Sequence, residues 1–380
     1  VNRRLGLNLP NDKATWVLTK QDVVATLSYL INLQNGIGRI DDIDHLANRR
    51  LRRVGELVAV NAFRVGLLRL ERSIKEKMSL ISPDDKPLPA NLINARPLIA
   101  SLNEFFRSNQ LSTILDDTNP LSEVDNLRRV SVLGPGGINR ERASFSIRDV
   151  NASQYGRIDP VRSPEGPNIG LVTYLALYAR VNEFGFIETP YRKVEKKKIT
   201  SETVYLAADD EENFYITHSG VNIDKNGNIT DKRVPLRFAG KFIEGSSDLV
   251  NYIDVTPRQV IGASASLIPF LANDEGNRAL MGSNMQCQSV PLVNPESPII
   301  GTGMEGIIAQ GMGRVIRARH AGVVEYADNE KVVVKLDAKI SIDSKTNEEE
   351  IIEGGRKEVY GLTKFRRTAH STCYNQILRV

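Results

Sequence analysis

Helical periodicity in the first quarter of the chain, strand alternation after Val194 and again after Gly311, and enough apolar residues for more than one core predict a mixed α+β, multidomain fold. The 380 residues are 41% hydrophobic and 25% charged, a composition that supports about two or three domains. Residues 13–34 read as a helix, with Thr19 as an N-cap and Val23, Val24, Leu27, Leu30 and Ile31 as the apolar stripe. A second helix is expected after Asn48, with Leu51, Val54, Leu57 and Val58 on one face and arginines on the other. The block Phe63 to Met78 continues it with Leu67, Leu70 and Ile74 inward. Pro83, Pro87 and Pro89 then read as a loop.

Short alternating strands follow Val194, among them Val204-Tyr205-Leu206 and Phe214-Tyr215-Ile216-Thr217, and Asn226-Gly227 marks a hairpin turn. The acidic run Asp209-Asp210-Glu211-Glu212 reads as a solvated loop. Ser264 to Leu271 is expected to be helical. Past Gly311, Val315, Ile316, Val323, Val324, Val332, Val333, Val334 and Leu336 argue for β-structure broken at Gly322 and Asp328-Asn329. Residues 347–357 read as an exposed hairpin insertion.

Charge and cysteine content narrow the class. The net charge is only +4, but Asn48 to Met78 holds nine Lys or Arg against three Glu, a basic helix suited to a polyanion or to a solvated face. Cys287 and Cys373 have no ligand-type spacing, which points away from zinc and toward a reducing cytosol. No apolar run reaches the ~20 residues of a membrane span. Neither a P-loop nor a G-x-G-x-x-G fingerprint occurs, so a stand-alone nucleotide-binding enzyme is disfavoured.

Certain segments mix residues that shape backbone with residues that bind phosphate or base. Gly134-Pro135-Gly136-Gly137 is shaped without being floppy, and Arg128, Arg129, Arg140, Arg142 and Arg148 surround it. Ser163-Pro164-Glu165-Gly166-Pro167-Asn168-Ile169-Gly170-Leu171 and Asn277-Arg278-Ala279-Leu280-Met281-Gly282 are of the same kind. Asp41, Asp42, Asp44 and His45 are dense in metal-type donors, although neighbouring acids before a helix also act as caps and dipole partners.

These segments resemble the β subunit of bacterial multisubunit RNA polymerase. Asp41 to Leu46, Asn48-Arg49-Arg50, Asn119 to Glu123, Gly185 to Val194 and Tyr252 to Val255 follow in the family's order. The resemblance implies that residues 1–105 end a lobe region and carry basic helices of the fork. Residues 106–194 would be the fork domain with RNA-path loops, 195–252 a β-rich external insertion, and 253–380 an active-centre segment and the start of a hybrid-binding domain. Starting at Val1 and ending at Val380, the chain reads as an internal part of such a subunit, cytoplasmic and inactive alone.

The family's residues carry over by position. Asp44 and Arg49 match a pocket for the non-template DNA strand, where a carboxylate can accept from a guanine edge. Arg69 and Arg72, three apart, would contact downstream DNA phosphate or form a solvated face. Asp116, Arg129, Ser131, Arg140, Pro164, Glu165, Asn168, Asn284 and Gln288 match positions along the RNA and hybrid. Glu275, Asn277, Arg278 and Met281 match the active centre, with Arg278 reaching the incoming nucleoside triphosphate. The catalytic Mg2+ would be held by the partner β′ subunit, and no metal by this chain. The implied partners are β′, the α dimer, a sigma factor, template and non-template DNA, nascent RNA and NTPs, with no membrane.

Departures from the family pattern carry expectations of their own. Thr113, Ile114, Asp116, Asn126, Arg129, Ser131 and Leu133 match the rifamycin pocket, but Thr113 replaces a Gln, Ile114 a Phe and Asn126 a His. Intrinsic resistance is therefore expected. Arg162 stands where the family has an acid, Glu275 where it has Asp, and Cys287 where it has a more polar residue. These leave local ion pairing and fine geometry open. The other class of function with the same basic surfaces is a non-catalytic nucleic-acid-binding module.

Overall fold

Helix α1 (Lys20–Gln34) begins at Thr19, whose side chain and backbone exchange hydrogen bonds with Asp22 at 3.3 and 2.8 Å in a full capping box. The computed structural model describes residue 7 and residues 17–38, 40–82, 88–336, 340–342, 349–351 and 356–378. The N-cap expected at Thr19 is therefore found, while residues 13–16 lie outside the described residues. The apolar stripe is not inward: no residue of α1 is buried, and Val24 is 67% exposed. Local capping and helix propensity define this helix, since no described element covers its apolar face.

The basic helix starts later than its periodicity suggested. Leu51 to Arg53 stay extended, with the Leu51 amide donating to the Gly185 carbonyl oxygen at 2.7 Å, and Arg53 is the N-cap of α2 (Val54–Val58). A π-helical turn, Ala59–Phe63, joins α2 to α3 (Arg64–Ser79). The Ala62 carbonyl oxygen accepts from the Ser101 hydroxyl at 2.9 Å, so a partner on another helix supports the widened turn. The short α4 (Pro89–Leu92) uses Pro89 in its first turn rather than in a loop; Pro83 and Pro87 lie outside the described residues. Helix α5 (Arg96–Ser108) packs on α3, where a Cβ on Gly66 would stand 2.8 Å from the Leu98 side chain. Only glycine permits that approach.

Helix α6 (Pro120–Leu127) is capped by Asn119, whose side chain accepts from the Ser122 amide at 2.7 Å, with Pro120 in the first turn. Strand β1 (Arg129–Ser131) follows and, after the short helix α7 (Phe145–Arg148), pairs antiparallel with β2 (Val172–Tyr174). This pairing draws the glycine-rich loop and the Pro164 loop together.

A seven-stranded sheet forms the middle of the chain. It contains β3 (Arg180–Val181), β4 (Ile187–Glu195), β5 (Lys198–Leu206), β6 (Ile216–Thr217), β7 (Arg233–Phe238), β8 (Lys241–Ser246) and β9 (Tyr252–Asp254). The order is β3-β4-β9-β6-β7-β8, with β5 also on β4, and every pairing is antiparallel except β6 with β9. Strands on both sides of residue 195 therefore share one sheet. Val194, Val221, Ile229, Val234, Leu236, Val250 and Ile253 form its core. The expected Asn226-Gly227 turn closes a hairpin bridged at Ile223 and Ile229.

The acidic run is not a solvated loop. Residues Ala208–Glu211 form helix α8, and the Glu211 carboxylate is buried between Arg157 at 2.6 Å and Arg237 at 3.0 Å. Ser264 to Leu271 is likewise not an α-helix but holds a 3-10 turn at Ala265–Leu267. Pro269 disfavours helical geometry at Ile268, and Phe270 is left-handed at φ 57°.

Helices α9 (Gly276–Cys287) and α10 (Glu305–Gly311) pack on α6 around Leu121, Ala263, Cys287, Met304 and Ile308. The chain then forms an antiparallel three-stranded sheet of β10 (Gly322–Ala327), β11 (Lys331–Leu336) and β14 (Lys357–Gly361). Val315 and Ile316 precede it and are not strand. The breaks expected at Gly322 and Asp328-Asn329 are the start of β10 and the β10–β11 turn, where Asp328 accepts from the Lys331 amide at 2.7 Å. Between β11 and β14, β12 (Ile340–Ile342) pairs with β13 (Glu349–Ile351); of the insertion expected at 347–357, residues 347–348 and 352–355 lie outside the described residues. A small ribbon of β15 (Arg366–Arg367) and β16 (Cys373–Tyr374) follows. Among the described residues no helix is long and apolar enough to cross a membrane.

Candidate nucleic-acid and nucleotide interface

The Pro164 loop is fixed from beneath. Arg148 donates to the carbonyl oxygens of Pro167 and Ile169 at 2.8 and 2.9 Å, and the Val132 amide donates to Leu171 at 3.0 Å. Gly170 has φ +72°, and a Cβ there would lie 2.4 Å from the Arg148 carbonyl oxygen. Arg128 likewise donates to the Ala176 carbonyl oxygen and is half-buried. Arg128 and Arg148 therefore shape the loops instead of facing a polyanion, whereas Arg129, Arg140 and Arg142 stay exposed.

Helix α9 meets this loop through Asn284, whose side-chain amide donates to Glu165 Oε1 at 3.0 Å and to the Ser163 carbonyl oxygen at 3.3 Å. The structure thus brings together Pro164, Glu165, Asn168 and Asn284 from segments more than a hundred residues apart. Gln288 is exposed just past the helix end. The buried oxygen of the Asn168 side-chain amide has no hydrogen-bond partner among the described residues. Such a group is costly unless a ligand or water supplies one.

The first turn of α9 is of another character. Glu275 makes no side-chain cap, no acid occupies the turn, and Arg278 is exposed with Nη1 against Met281 Sδ at 3.8 Å. Asn277 donates to Glu275 at 3.1 Å. A cation beside uncapped amides is unfavourable at a helix N-terminus by itself and favourable if an anion is added. No hydrogen bond among the described residues joins Arg278 to the Pro164 loop.

Near residue 113 the loop before α6 exposes Thr113 and Ile114, while Asp116 accepts from the Thr118 hydroxyl at 2.8 Å. Asn126 is half-buried on α6, the Ser131 hydroxyl accepts from the Leu133 amide at 3.1 Å, and Leu133 itself is buried. Asp117 beside it is tied to Arg314 at 2.8 Å and to His370 at 2.7 Å. Burial works against its charge, but these partners prevail and hold its carboxyl well below the usual range.

The acidic cluster at the start of the chain is occupied by turn bonds. Asp42 accepts from the Asp44 amide at 2.9 Å and from Asn151 at 2.7 Å, and His45 pairs with Glu212 at 3.0 Å. Among the described residues no group of three or more His, Cys, Asp or Glu side chains gathers to hold a metal. Asp44 and Arg49 lie 3.8 Å apart, a loose pair. Arg69 reaches Glu104 at 3.4 Å across the exposed α3–α5 surface, and Arg72 is exposed on the same helix.

The expected residues thus fall into a Pro164–α9 junction, an α9 N-terminal turn, an α6-side loop and a basic face on α3. Family models match stretches of this chain. Residues 1–52 match the model described as RNA polymerase Rpb2, domain 2; residues 113–181 match RNA polymerase Rpb2, domain 3; and residues 191–256 match the RNA polymerase beta subunit external 1 domain. The chain belongs to the RNA polymerase β-subunit family. Within that family frame, the external 1 match takes in strands β5 to β9 of the seven-stranded sheet and the second half of β4, and the glycine-rich and Pro164 loops fall inside the domain 3 match.

Sequence reasoning did not single out Asp125, which is 3% exposed, nor Ser264. Asp125 now pairs with Arg162 at 2.9 Å, answering the question that the unusual arginine raised. The capping signature Asn119-Pro120 could have placed Asp125 on a helix, but nothing in the sequence names its partner.

Proposed function

We propose that this β-subunit chain lines the RNA, DNA and nucleotide paths of a DNA-directed RNA polymerase and that the first turn of α9 faces the triphosphate of the incoming nucleotide. The observation that carries this is the exposed Arg278 in an uncapped, acid-free first turn. In template-directed synthesis the RNA 3′ hydroxyl attacks the α-phosphate and pyrophosphate leaves. A guanidinium already in place pairs with the triphosphate's charge in the bound nucleotide and in the transition state alike, so its contribution falls mainly on nucleotide binding. Asn277, Met281 and Glu275 shape the same turn. The resident Mg2+ is assigned to the partner β′ subunit in this reading, as the family resemblance implies.

Pro164, Glu165, Asn168, Asn284 and Gln288, with Arg129, Arg140, Ser131 and Asp116, form the side facing RNA. Exposed arginines there pair with phosphate through charge-assisted hydrogen bonds. Asp44 and Arg49 face the non-template strand, and Arg69 and Arg72 the downstream duplex. The α dimer and a sigma factor complete the assembly.

The test is Mg2+-dependent extension of an RNA primer on an RNA–DNA scaffold, with this segment alone or within a full β subunit assembled with β′ and the α dimer. Extension is expected only after assembly. Extension by the chain alone would overturn the assignment of the metal to β′, and nucleic-acid binding without any extension after assembly would favour a non-catalytic binding module.

The same surface carries the antibiotic expectation. Thr113 and Ile114 are exposed and Asn126 is half-buried, so none restores the long amide, ring or imidazole that the family pattern has there. Polar contacts contribute about 1 kcal/mol each, and an aromatic contact about the same, so roughly 100-fold weaker rifamycin inhibition is expected. Inhibition of the assembled enzyme at sub-micromolar drug would contradict it.

A further inference from the structure

Arg162 and Cys287, two of the positions at which the sequence was read as departing from the family pattern, are in contact. Arg162 Nη2 lies 2.9 Å from Asp125 Oδ2 and donates to Cys287 Sγ at 3.4 Å, while its Nε donates to the same carboxylate at 3.0 Å. The Cys287 thiol sits 3.7 Å from Asp125 Oδ2 and 3.4 Å from the Ser264 hydroxyl. All four side chains are buried, and the Arg162 guanidinium also covers the Tyr174 ring at 4.7 Å.

These contacts join three segments: Asp125 on α6, Arg162 at the head of the Pro164 loop, and Cys287 as the last residue of α9. Asn119, the N-cap of α6, reinforces the junction by donating to the carbonyl oxygens of Gln286, Cys287 and Ser289 at 3.2, 3.1 and 2.8 Å. The C-terminal end of α9 is therefore held by three separate elements. Its first turn makes only contacts within itself that the hydrogen bonds record. From Cys287 to Arg278 the helix runs about 13 Å as one rigid rod. A small change at the buried end thus moves the guanidinium at the other.

We infer that Arg162, with Asp125 and Cys287, clamps the C-terminal end of α9 and thereby aims Arg278, making Arg162 a positioning residue for nucleotide binding. This rests on the role given to Arg278 above. A displacement on the order of 1 Å at a reacting group can cost a hundredfold, so even partial loosening is measurable. The thiol matters because it is small enough to fit between Arg162 and Ser264 and can both accept and donate there.

The experiment measures KM for NTP and kcat separately in assembled polymerase carrying Arg162→Lys, Arg278→Ala or both. Lysine keeps the charge beside Asp125 but cannot reach Asp125 and Cys287 with one planar fork. Arg162→Lys is expected to raise KM about five- to tenfold with kcat changed less than about twofold, and to add nothing in the Arg278→Ala background. A purely structural role would lower the active fraction, and so apparent kcat, with KM unmoved; that result, or a full KM increase persisting with Arg278→Ala, overturns the inference. Should Arg278→Ala itself leave KM unchanged, the reading of Arg278 fails first and the inference with it. If Arg162→Lys does not assemble, Cys287→Ala leaves the Asp125–Arg162 pair intact. It is expected to raise KM about two- to threefold, with recovery in Cys287→Ser, and no change in Cys287→Ala overturns the clamp.

Discussion

Glu211→Gln is expected to destabilise the central sheet by about 3–5 kcal/mol, the usual cost of removing one partner from a buried ion pair. Glu211 accepts from Arg157, which is fully buried, from Arg237, and from the Tyr191 hydroxyl at 3.0 Å. Arg157 also donates to the carbonyl oxygens of Ile187, Ser153 and Leu206 at 3.0, 3.1 and 2.9 Å. The guanidinium thus joins the segment before β2 to strands β4 and β5. With a glutamine at 211, Asp254, 3.8 Å from Arg237, would be the one carboxylate within ion-pair distance of the two buried arginines among the described residues. Chemical unfolding of the two proteins, followed by circular dichroism, measures the difference; a loss below about 1 kcal/mol would refute the role assigned to this carboxylate.

The same comparison has a pH dependence of fixed sign. Burial alone would raise the pKa of Glu211, but Arg157 and Arg237 outweigh it and hold the carboxyl below its ordinary value of 4.5. A lowered folded-state pKa means that the folded protein binds this proton less readily than the unfolded chain. Its stabilisation is therefore complete above 4.5 and is lost as pH falls through the folded value. The gap between wild type and Glu211→Gln should be constant at neutral pH and narrow in acid. Asp254 is displaced the other way, upward, by burial first and in part by the Glu211 charge itself, so its titration shifts with the substitution and belongs to the same difference.

Arg278→Ala in the assembled enzyme is expected to lower kcat/KM for NTP by about 10- to 100-fold, with most of the effect in KM. A hydrogen bond from a charged donor contributes about 1.5–3 kcal/mol, which converts to that range. No ion pair to Arg278 occurs among the described residues, so its truncation leaves no carboxylate stranded, and the fold should tolerate it. Arg278→Lys should recover part of the loss, since the charge returns without the planar fork. Unchanged kinetics at limiting NTP would remove Arg278 from the nucleotide site.

Local information in this chain ends where remote segments meet. Thr19 with Asp22, and Asn226-Gly227, were legible because capping and tight turns involve only near neighbours in the chain. Helix α5 starts after Ala95 with no side-chain cap, so its start lacks the local signal that Thr19 and Asn119 give. The stripe on α1 is periodic, yet all five of its residues are exposed. Periodicity tells which side chains share a face and not what, if anything, lies against it.

The site divides along the same line. Sequence motifs picked out the Pro164 loop, the Asn277 to Gly282 block and the glycine-rich loop, since each needs particular residue types in consecutive positions. They could not separate Arg128 and Arg148, which hold backbone carbonyls, from Arg129 and Arg140, which remain exposed. Four consecutive acids looked like a solvated surface, yet Arg157 and Arg237 reach Glu211 from 54 and 26 positions away, separations that follow from the residue numbers.

By itself the sequence determined the α+β class, the family and the segments that carry the site, because family motifs and local periodicity are written in contiguous residues. Only the tertiary structure decided which charges are buried and paired. It placed Arg162 against Asp125 and Cys287, and Glu211 between two arginines. The physical reason is that the sign and size of an electrostatic interaction depend on distance and desolvation. Both are set by how remote segments pack, and neither is recorded in the order of residues along the chain.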